Sequence, residues 1–133
     1  MRPPVERILA ASVRLFEERG PAFTMDELAR ECGASKKTLY VYFKDKEEVM
    51  RAVADRVFDD VHERQRAIAG DSARTCASRL RELLTLRPPS WLGVDYRWTR
   101  LVERDYPALY AHVMNRVDEG WEPTMAVLEE GVG

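Results

Sequence analysis

The stretch TMDELARECGASKKTLYVYFKDK, residues 24–46, decides how the chain is read. Its spacing predicts two short helices joined by a tight turn, with a third beginning at its end. Thr24 is an N-cap, and Glu27 follows at the capping-box distance, so the first helix runs from about Met25 to Cys32 with Leu28 and Ala29 inward. Gly33 can take the positive φ that ends a helix. Ser35 can cap the next helix, Lys36 to Phe43, through its hydroxyl. Leu39 and Phe43 are one turn apart and anchor that helix to a core, which turns Lys37 and Val41 outward. Thr38 and Tyr40 flank them, and Lys36 and Tyr42 lie at the edges. The outward surface of this helix mixes cations, hydroxyls and rings and carries no acid, so it can approach phosphates without repulsion. Two helices, a short turn containing Gly and a basic second helix form the helix-turn-helix pattern. An ordinary helical hairpin with a basic face fits the same spacing.

Charge is distributed in the same sense. The chain has 133 residues and a formal net charge of −2, yet residues 1–56 carry 11 Lys/Arg against 10 Asp/Glu and residues 57–133 carry 10 against 13. All four lysines (Lys36, Lys37, Lys44, Lys46) fall within eleven residues. The sign and the clustering are those expected where the N-terminal part meets double-stranded DNA.

Before the motif, Pro3 and Pro4 suit a first helical turn. Val5, Ile8, Leu9, Ser12, Leu15 and Phe16 then keep helical spacing to Arg19, and Gly20-Pro21 stops the helix. Phe23 is expected to plug the core that Ile8, Leu15 and Phe16 form with Leu28, Leu39 and Phe43. After the motif, Asp45 and Glu48 predict the start of a long helix, about 45–69, with Met50, Val53, Ala54, Val57 and Val61 inward. At about 1.5 Å per residue it can join a head to a second domain as a rigid lever. Lys46 in its first turn opposes the helix dipole, which makes sense if a phosphate lies opposite; an exposed lysine without a role is the alternative.

Further on, Asp71 or Ser72 is expected to cap a helix to about Leu86, with Cys76, Ala77, Leu80, Leu83 and Leu84 inward. Arg87-Pro88-Pro89-Ser90 breaks the chain. A helix from about Gly93 to Glu103 carries Trp98, Leu101 and Val102. Pro107 opens another, in which Leu109, Val113, Val117, Trp121, Met125 and Leu128 recur at helical spacing; Pro123 either kinks this helix or separates two, and a kink is the favoured reading.

The run Gly33-Ala34-Ser35-Lys36-Lys37-Thr38-Leu39-Tyr40-Val41-Tyr42-Phe43-Lys44-Asp45-Lys46-Glu47-Glu48-Val49 closely resembles the signature of the TetR family of bacterial transcriptional regulators. Ile8 to Ala11, Leu15-Phe16, Arg19-Gly20 and Thr24 to Ala29 fit the same family, so the resemblance covers about residues 5 to 60. Lys37 departs from it, standing where many members carry Gly, and Cys32 replaces a residue that is often Ala and is expected to be a small buried thiol. The resemblance implies an all-α protein. A helix-turn-helix domain, 1–46, precedes a helical ligand-binding and dimerisation domain, 47–133, which looks C-terminally incomplete because the last two helices of such proteins appear absent.

The same resemblance implies a regulator, usually a repressor, that binds a palindromic operator as a homodimer and responds to a small-molecule effector. Lys36, Lys37, Thr38 and Tyr40 would face the major groove. Tyr42, Lys46 and Thr24 would hold phosphates, Val41 would touch a base methyl or sugar, and Met25 and Ser35 complete the expected DNA-binding set. Effector candidates are Trp91, Trp98, Tyr110, His112, Met114, Trp121 and Met125, which could equally be the core of a small helical domain.

Other chemistry is thin. Asp59, His62 and Glu63 share a helix face that a metal could use, though such trios are mostly solvated. The chain lacks a phosphate loop, a nucleophile elbow and a CxxC pair, so no metal, cofactor or enzyme activity is expected. Cys32 and Cys76 read as reduced thiols. Arg7 and Arg14 bracket only six uncharged residues, too few for a signal-peptide core, and the longest uncharged run, Tyr106 to Asn115, is too short to span a membrane. A soluble, cytoplasmic protein without a membrane partner is expected. Two alternatives stay open: a small-molecule-binding sensory protein that does not bind DNA, and an all-α enzyme using the His62 face.

Overall fold

The computed structural model describes residues 4–86 and 96–132, the side chains of 96–98 and 132 excepted. Every regular element among the described residues is helical. The order is α1 (Pro4–Arg19), a 3-10 turn (Gly20–Ala22), α2 (Met25–Cys32), α3 (Lys36–Tyr42), α4 (Lys46–Ala69), α5 (Cys76–Thr85), α6 (Tyr96–Asp105), α7 (Pro107–Glu119) and α8 (Trp121–Val132). The fold is all-α, with the helix-turn-helix head followed by a helical part, as expected. None of these helices is long and apolar enough to cross a membrane.

Local chemistry sets the head. Thr24 Oγ1 accepts from Glu27 N at 3.1 Å, and the Glu27 carboxylate accepts from Thr24 N at 3.2 Å, closing the capping box. Gly33 takes φ 70°, and the N–H of Ala34 reaches back to Ala29 O at 3.0 Å, which ends α2 and turns the chain into α3. Ser35 Oγ caps α3 by accepting from Thr38 N at 3.1 Å, and Asp45 caps α4 by accepting from Glu48 N at 2.9 Å. Ile8, Leu15, Phe16, Phe23, Leu28, Leu39 and Phe43 are buried together as expected. Their core runs on without a break into Val49, Met50 and Val53 of α4 and Leu109 of α7. Cys32 is only partly buried against it, a correction to the buried thiol expected.

α4 is the spine of the molecule and packs against α1, α5, α7 and α8. Its inward face holds Met50, Val53, Ala54 and Val61 as expected, with Phe58, His62 and Gln65 added. Because His62 is buried and Asp59 and Glu63 are exposed, the three do not share a solvated face. No group of three His, Cys, Asp or Glu among the described residues is placed to hold a metal ion.

Three expectations beyond α4 are corrected. The cap of α5 is Thr75, whose Oγ1 accepts from Ser78 N at 3.1 Å; Asp71 instead holds a turn through Ala73 N at 3.2 Å. α5 turns Leu83 and Arg79 inward and leaves Ala77 and Leu84 outward. The guanidinium of Arg79 donates to Ala69 O at 2.7 Å, at the end of α4, and pairs with Glu130 at 2.8 Å, which ties α4, α5 and α8 together. Of the two arrangements considered at Pro123, the favoured kink is not found: there are two helices, divided at Gly120, and Pro123 lies in the first turn of α8, where its missing N–H removes no helix bond. The stripe of Val117, Trp121, Met125 and Leu128 faces outward, while Thr124 and Val127 turn inward. The expected break at residues 87–90 and the helix start near Gly93 lie outside the described residues.

Candidate nucleic-acid interface

α3 is fixed from behind and open in front. Leu39 is wholly buried and Phe43 nearly so, and they hold the short helix on α1 and α2. Opposite them Lys36, Lys37 and Thr38 are exposed, together with Tyr40 (47%), Val41 (73%) and Tyr42 (40%). This is the face expected from the spacing, and rings and a valine so exposed on a helix this short form an apolar and basic ridge rather than a solvated one. Lys36 Nζ lies 3.4 Å from the Asp26 carboxylate on α2, both half or more exposed, an ion pair worth little in water. Lys37 makes no ion pair among the described residues.

The remaining head residues divide by what already engages them. Thr24 Oγ1 and Ser35 Oγ spend an acceptor position on their helix caps, and Ser35 Oγ also lies 3.0 Å from Thr38 Oγ1. Met25 places its side chain in the core, so only its backbone at the start of α2 faces outward chemistry. Lys46 is the surprise. Its ammonium donates to Pro21 O and sits 4.8 Å from the centroid of the Phe23 ring. Burial pushes its pKa below the usual lysine value, partly countered by the Glu27 carboxylate. It is therefore held inside the head, neither an idle exposed lysine nor a cation standing clear of the surface. A lysine and a carbonyl twenty-five residues apart leave no local signature in sequence, and none pointed to this contact.

The expected effector residues do not converge on one place. Tyr110 and Met114 line an apolar cavity at the junction of α1, α4, α6 and α7, with Phe16, Met50, Val53 and Val102 among its walls. Trp121 lines a second, wider groove between α4, α5 and the α7–α8 corner, with Phe58, His62, Gln65, Leu83 and Thr124. His112 serves neither: its Nε2 lies 2.5 Å from Asp55 Oδ1, and Arg116 joins the same patch by pairing with Asp59 and lying 3.8 Å from Asp55. That patch clamps α7 to α4. Met125 is exposed and lines neither space. Trp91, and the side chain of Trp98, lie outside the described residues.

A capped helix pair at the helix-turn-helix spacing, carrying an acid-free basic and aromatic second helix on a three-helix core, defines a DNA-binding head. Comparison with known proteins makes this more specific. Residues 8–53 match the family described as "Bacterial regulatory proteins, tetR family". The chain is 25% identical over 125 residues to the uncharacterized HTH-type transcriptional regulator YvaF of Bacillus subtilis, covering 94% of this chain and 66% of YvaF. It is 34% identical over 107 residues to the uncharacterized HTH-type transcriptional regulator Rv1255c of Mycobacterium tuberculosis, covering 80% of this chain and 46% of that protein. A crystal structure of a TetR/AcrR family transcriptional regulator from Thermobifida fusca superposes with a TM-score of 0.68 at 26% identity, covering 96% of this chain and 69% of that one. Over residues 8–53 the chain carries the head of the TetR family of transcriptional regulators. It spans less than two thirds of the length of these two sequence relatives.

Proposed function

We propose that the chain acts as a ligand-responsive repressor that binds a palindromic operator as a homodimer in the cytoplasm, and that it has no enzymatic role. In this reading residues 1–46 are the DNA-binding unit and residues 47–133 the ligand-binding and dimerisation unit. The observation that carries it is the exposed face of α3, cationic and aromatic, held by the buried Leu39 and Phe43.

Lys36, Lys37, Thr38 and Tyr40 enter the major groove, where hydroxyl and ammonium groups read base edges, and Val41 packs on a base methyl or sugar. Tyr42, Thr24, Ser35 and the backbone N–H of Met25 take phosphates; the last lies at a helix N-terminus, where the dipole favours an anion. Lys46 joins them only by exchanging its bond to Pro21 O for a phosphate oxygen. Because α4 carries the head core at one end and the groove and cavity residues along its length, a ligand that shifts α4 changes the separation of two recognition helices. That separation must match one turn of DNA, roughly 34 Å.

The test is selection of duplexes from a random pool, followed by titration of the selected and scrambled sites at several salt concentrations. Inverted-repeat sites, bound more tightly than scrambled DNA and with steep salt dependence, are expected. Absence of salt-dependent binding at any site would leave a small-molecule sensor without DNA-binding activity.

A further inference from the structure

The groove that Trp121 rims has a chemical character of its own. Phe58, His62 and Gln65 stand on one face of α4 and form its floor, and Leu83, Leu84 and Leu86 wall it from the α5 side. Its cavity volume is about 360 Å³, at the lower end of the size range of small-molecule sites. None of its lining residues among those described is a lysine, arginine, aspartate or glutamate.

Gln65 is nine-tenths buried, and its Oε1 is shut off from solvent with no hydrogen-bond donor among the described residues. Buried acceptors are ordinarily paired, and one left open costs free energy until a donor arrives. Gly120, at the α7–α8 break, lies beside this amide: a Cβ there would stand 3.4 Å from both Gln65 Oε1 and Nε2, so the glycine keeps the flank clear. His62, its ring 5.8 Å from that of Phe58, is held neutral at neutral pH because burial and the Arg116 cation push its pKa down. An ionised ligand would meet no counter-charge among the described lining residues; the Glu119 carboxylate lies 3.8 Å from His62 Nδ1.

We propose that this groove binds an uncharged, mainly apolar molecule bearing one hydroxyl or amide N–H, and that Gln65 Oε1 accepts that hydrogen. The inference rests on the ligand-responsive reading above and assigns that ligand's place and class. A small molecule suits the floor better than a helix laid across the rim, since the interior backbone N–H groups of a helix are spent internally and only a side chain or its first turn could reach Gln65 Oε1. The cavity at Tyr110 and Met114 offers no comparable atom: the orphaned side-chain atoms among the described residues are Gln65 Oε1, Arg79 Nε and Arg116 Nε.

Calorimetric titration of the 133-residue chain with 1-naphthol and with 1-methoxynaphthalene, which has no donor, reads the proposal directly. Naphthol is expected to bind about tenfold more tightly, the usual worth of one hydrogen bond. Gln65→Leu should keep methoxynaphthalene binding and bring the two affinities within about twofold. Trp121→Ala, at an exposed position, should weaken both ligands, and Met114→Leu in the other cavity should change neither. Equal affinities in the unaltered chain, a preference that survives Gln65→Leu, or indifference to Trp121→Ala would overturn it. So would the absence of saturable binding, which would leave the groove as a seat for another polypeptide. Repeating the titration on the DNA complex separates the two readings: naphthol bound with the Gln65 preference but without effect on DNA affinity removes ligand control and leaves the site standing.

Discussion

Lys46, in the first turn of α4, donates to the carbonyl of Pro21 in the turn after α1. The contact explains a cation at a helix start, where the dipole disfavours it. Phe23 beneath the ammonium adds a cation–π contact, and the pair fastens the lever helix to the back of the head. Lys46→Met should therefore destabilise the chain by about 1 kcal/mol, below the usual range for a bond to a charged group because the side chain is only partly buried. It should leave the salt dependence of DNA binding unchanged. A slope reduced by about one, with stability intact, would show that Lys46 gives up Pro21 for a phosphate in the complex.

Lys37 and Lys36 differ by a single neighbour. Lys36 has Asp26 at 3.4 Å, and Lys37 has no ion pair among the described residues. Lys37→Ala should weaken the selected operator by about 1–3 kcal/mol and relax the preference at one or two base pairs. Lys36→Ala should have the smaller effect, since that ammonium already has an anion beside it. Both should stay within about 0.5 kcal/mol of the unaltered stability, as exposed positions do. Fluorescence anisotropy on single-base variants of the operator measures the first pair of effects and urea unfolding the second. Equal loss across all operator variants on Lys37→Ala would place it on phosphate, not base.

The head was legible because its determinants are local. Thr24 with Glu27, Ser35 with Thr38, and Asp45 with Glu48 are three residues apart, and each cap forms at the position its spacing implies. The later helices were not legible in the same way. Leu109 to Leu128 keep a helical spacing, but the helix breaks at Gly120, and spacing carried across a break says nothing about facing. Trp121, Met125 and Leu128 do share a face of α8; it is the outward one, and Thr124 and Val127 pack inside. Arg79 shows the remaining limit. A charged residue is read as exposed, and its burial depends on Ala69 O and on Glu130, fifty-one residues away. Of the expected effector residues, Tyr110 and Met114 go to one space and Trp121 to another, because composition gives aromatics no address.

Leu39 and Val41 test the two sides of α3. Leu39 is fully buried and Val41 is 73% exposed. Leu39→Ala removes core volume between α1 and α2 and should cost about 2–5 kcal/mol, with loss of DNA binding following from loss of the helix. Val41→Ala should cost under about 0.5 kcal/mol in stability and lower DNA affinity by a factor of a few. Urea unfolding of both variants decides it: a Val41→Ala penalty matching that of Leu39→Ala would mean that α3 presents a different face.

His62 gives the chain a pH dependence whose sign follows from its surroundings. Burial is the main cause that lowers its pKa below 6.5, reinforced by Arg116 and Arg66 and opposed by Glu119 and a backbone hydrogen bond at Arg116. The unfolded chain therefore takes up a proton at this site at a higher pH than the folded chain does. Between the two pKa values unfolding binds a proton, so stability falls as pH drops below about 6.5 and is flat above it as far as this group is concerned. His62→Gln, which keeps a polar side chain of similar reach without the titration, should flatten that part of the profile. Thermal midpoints at pH 7.5, 6.5 and 5.5 for both proteins provide the measurement. A steeper fall in the unaltered chain than in His62→Gln is expected, and parallel profiles would show that the ring keeps its ordinary pKa. Since His62 lies on the groove floor, an uncharged apolar ligand held there should also bind more weakly as pH falls through the same range, because protonation puts a charge beside it that only the Glu119 carboxylate, 3.8 Å from Nδ1, offsets.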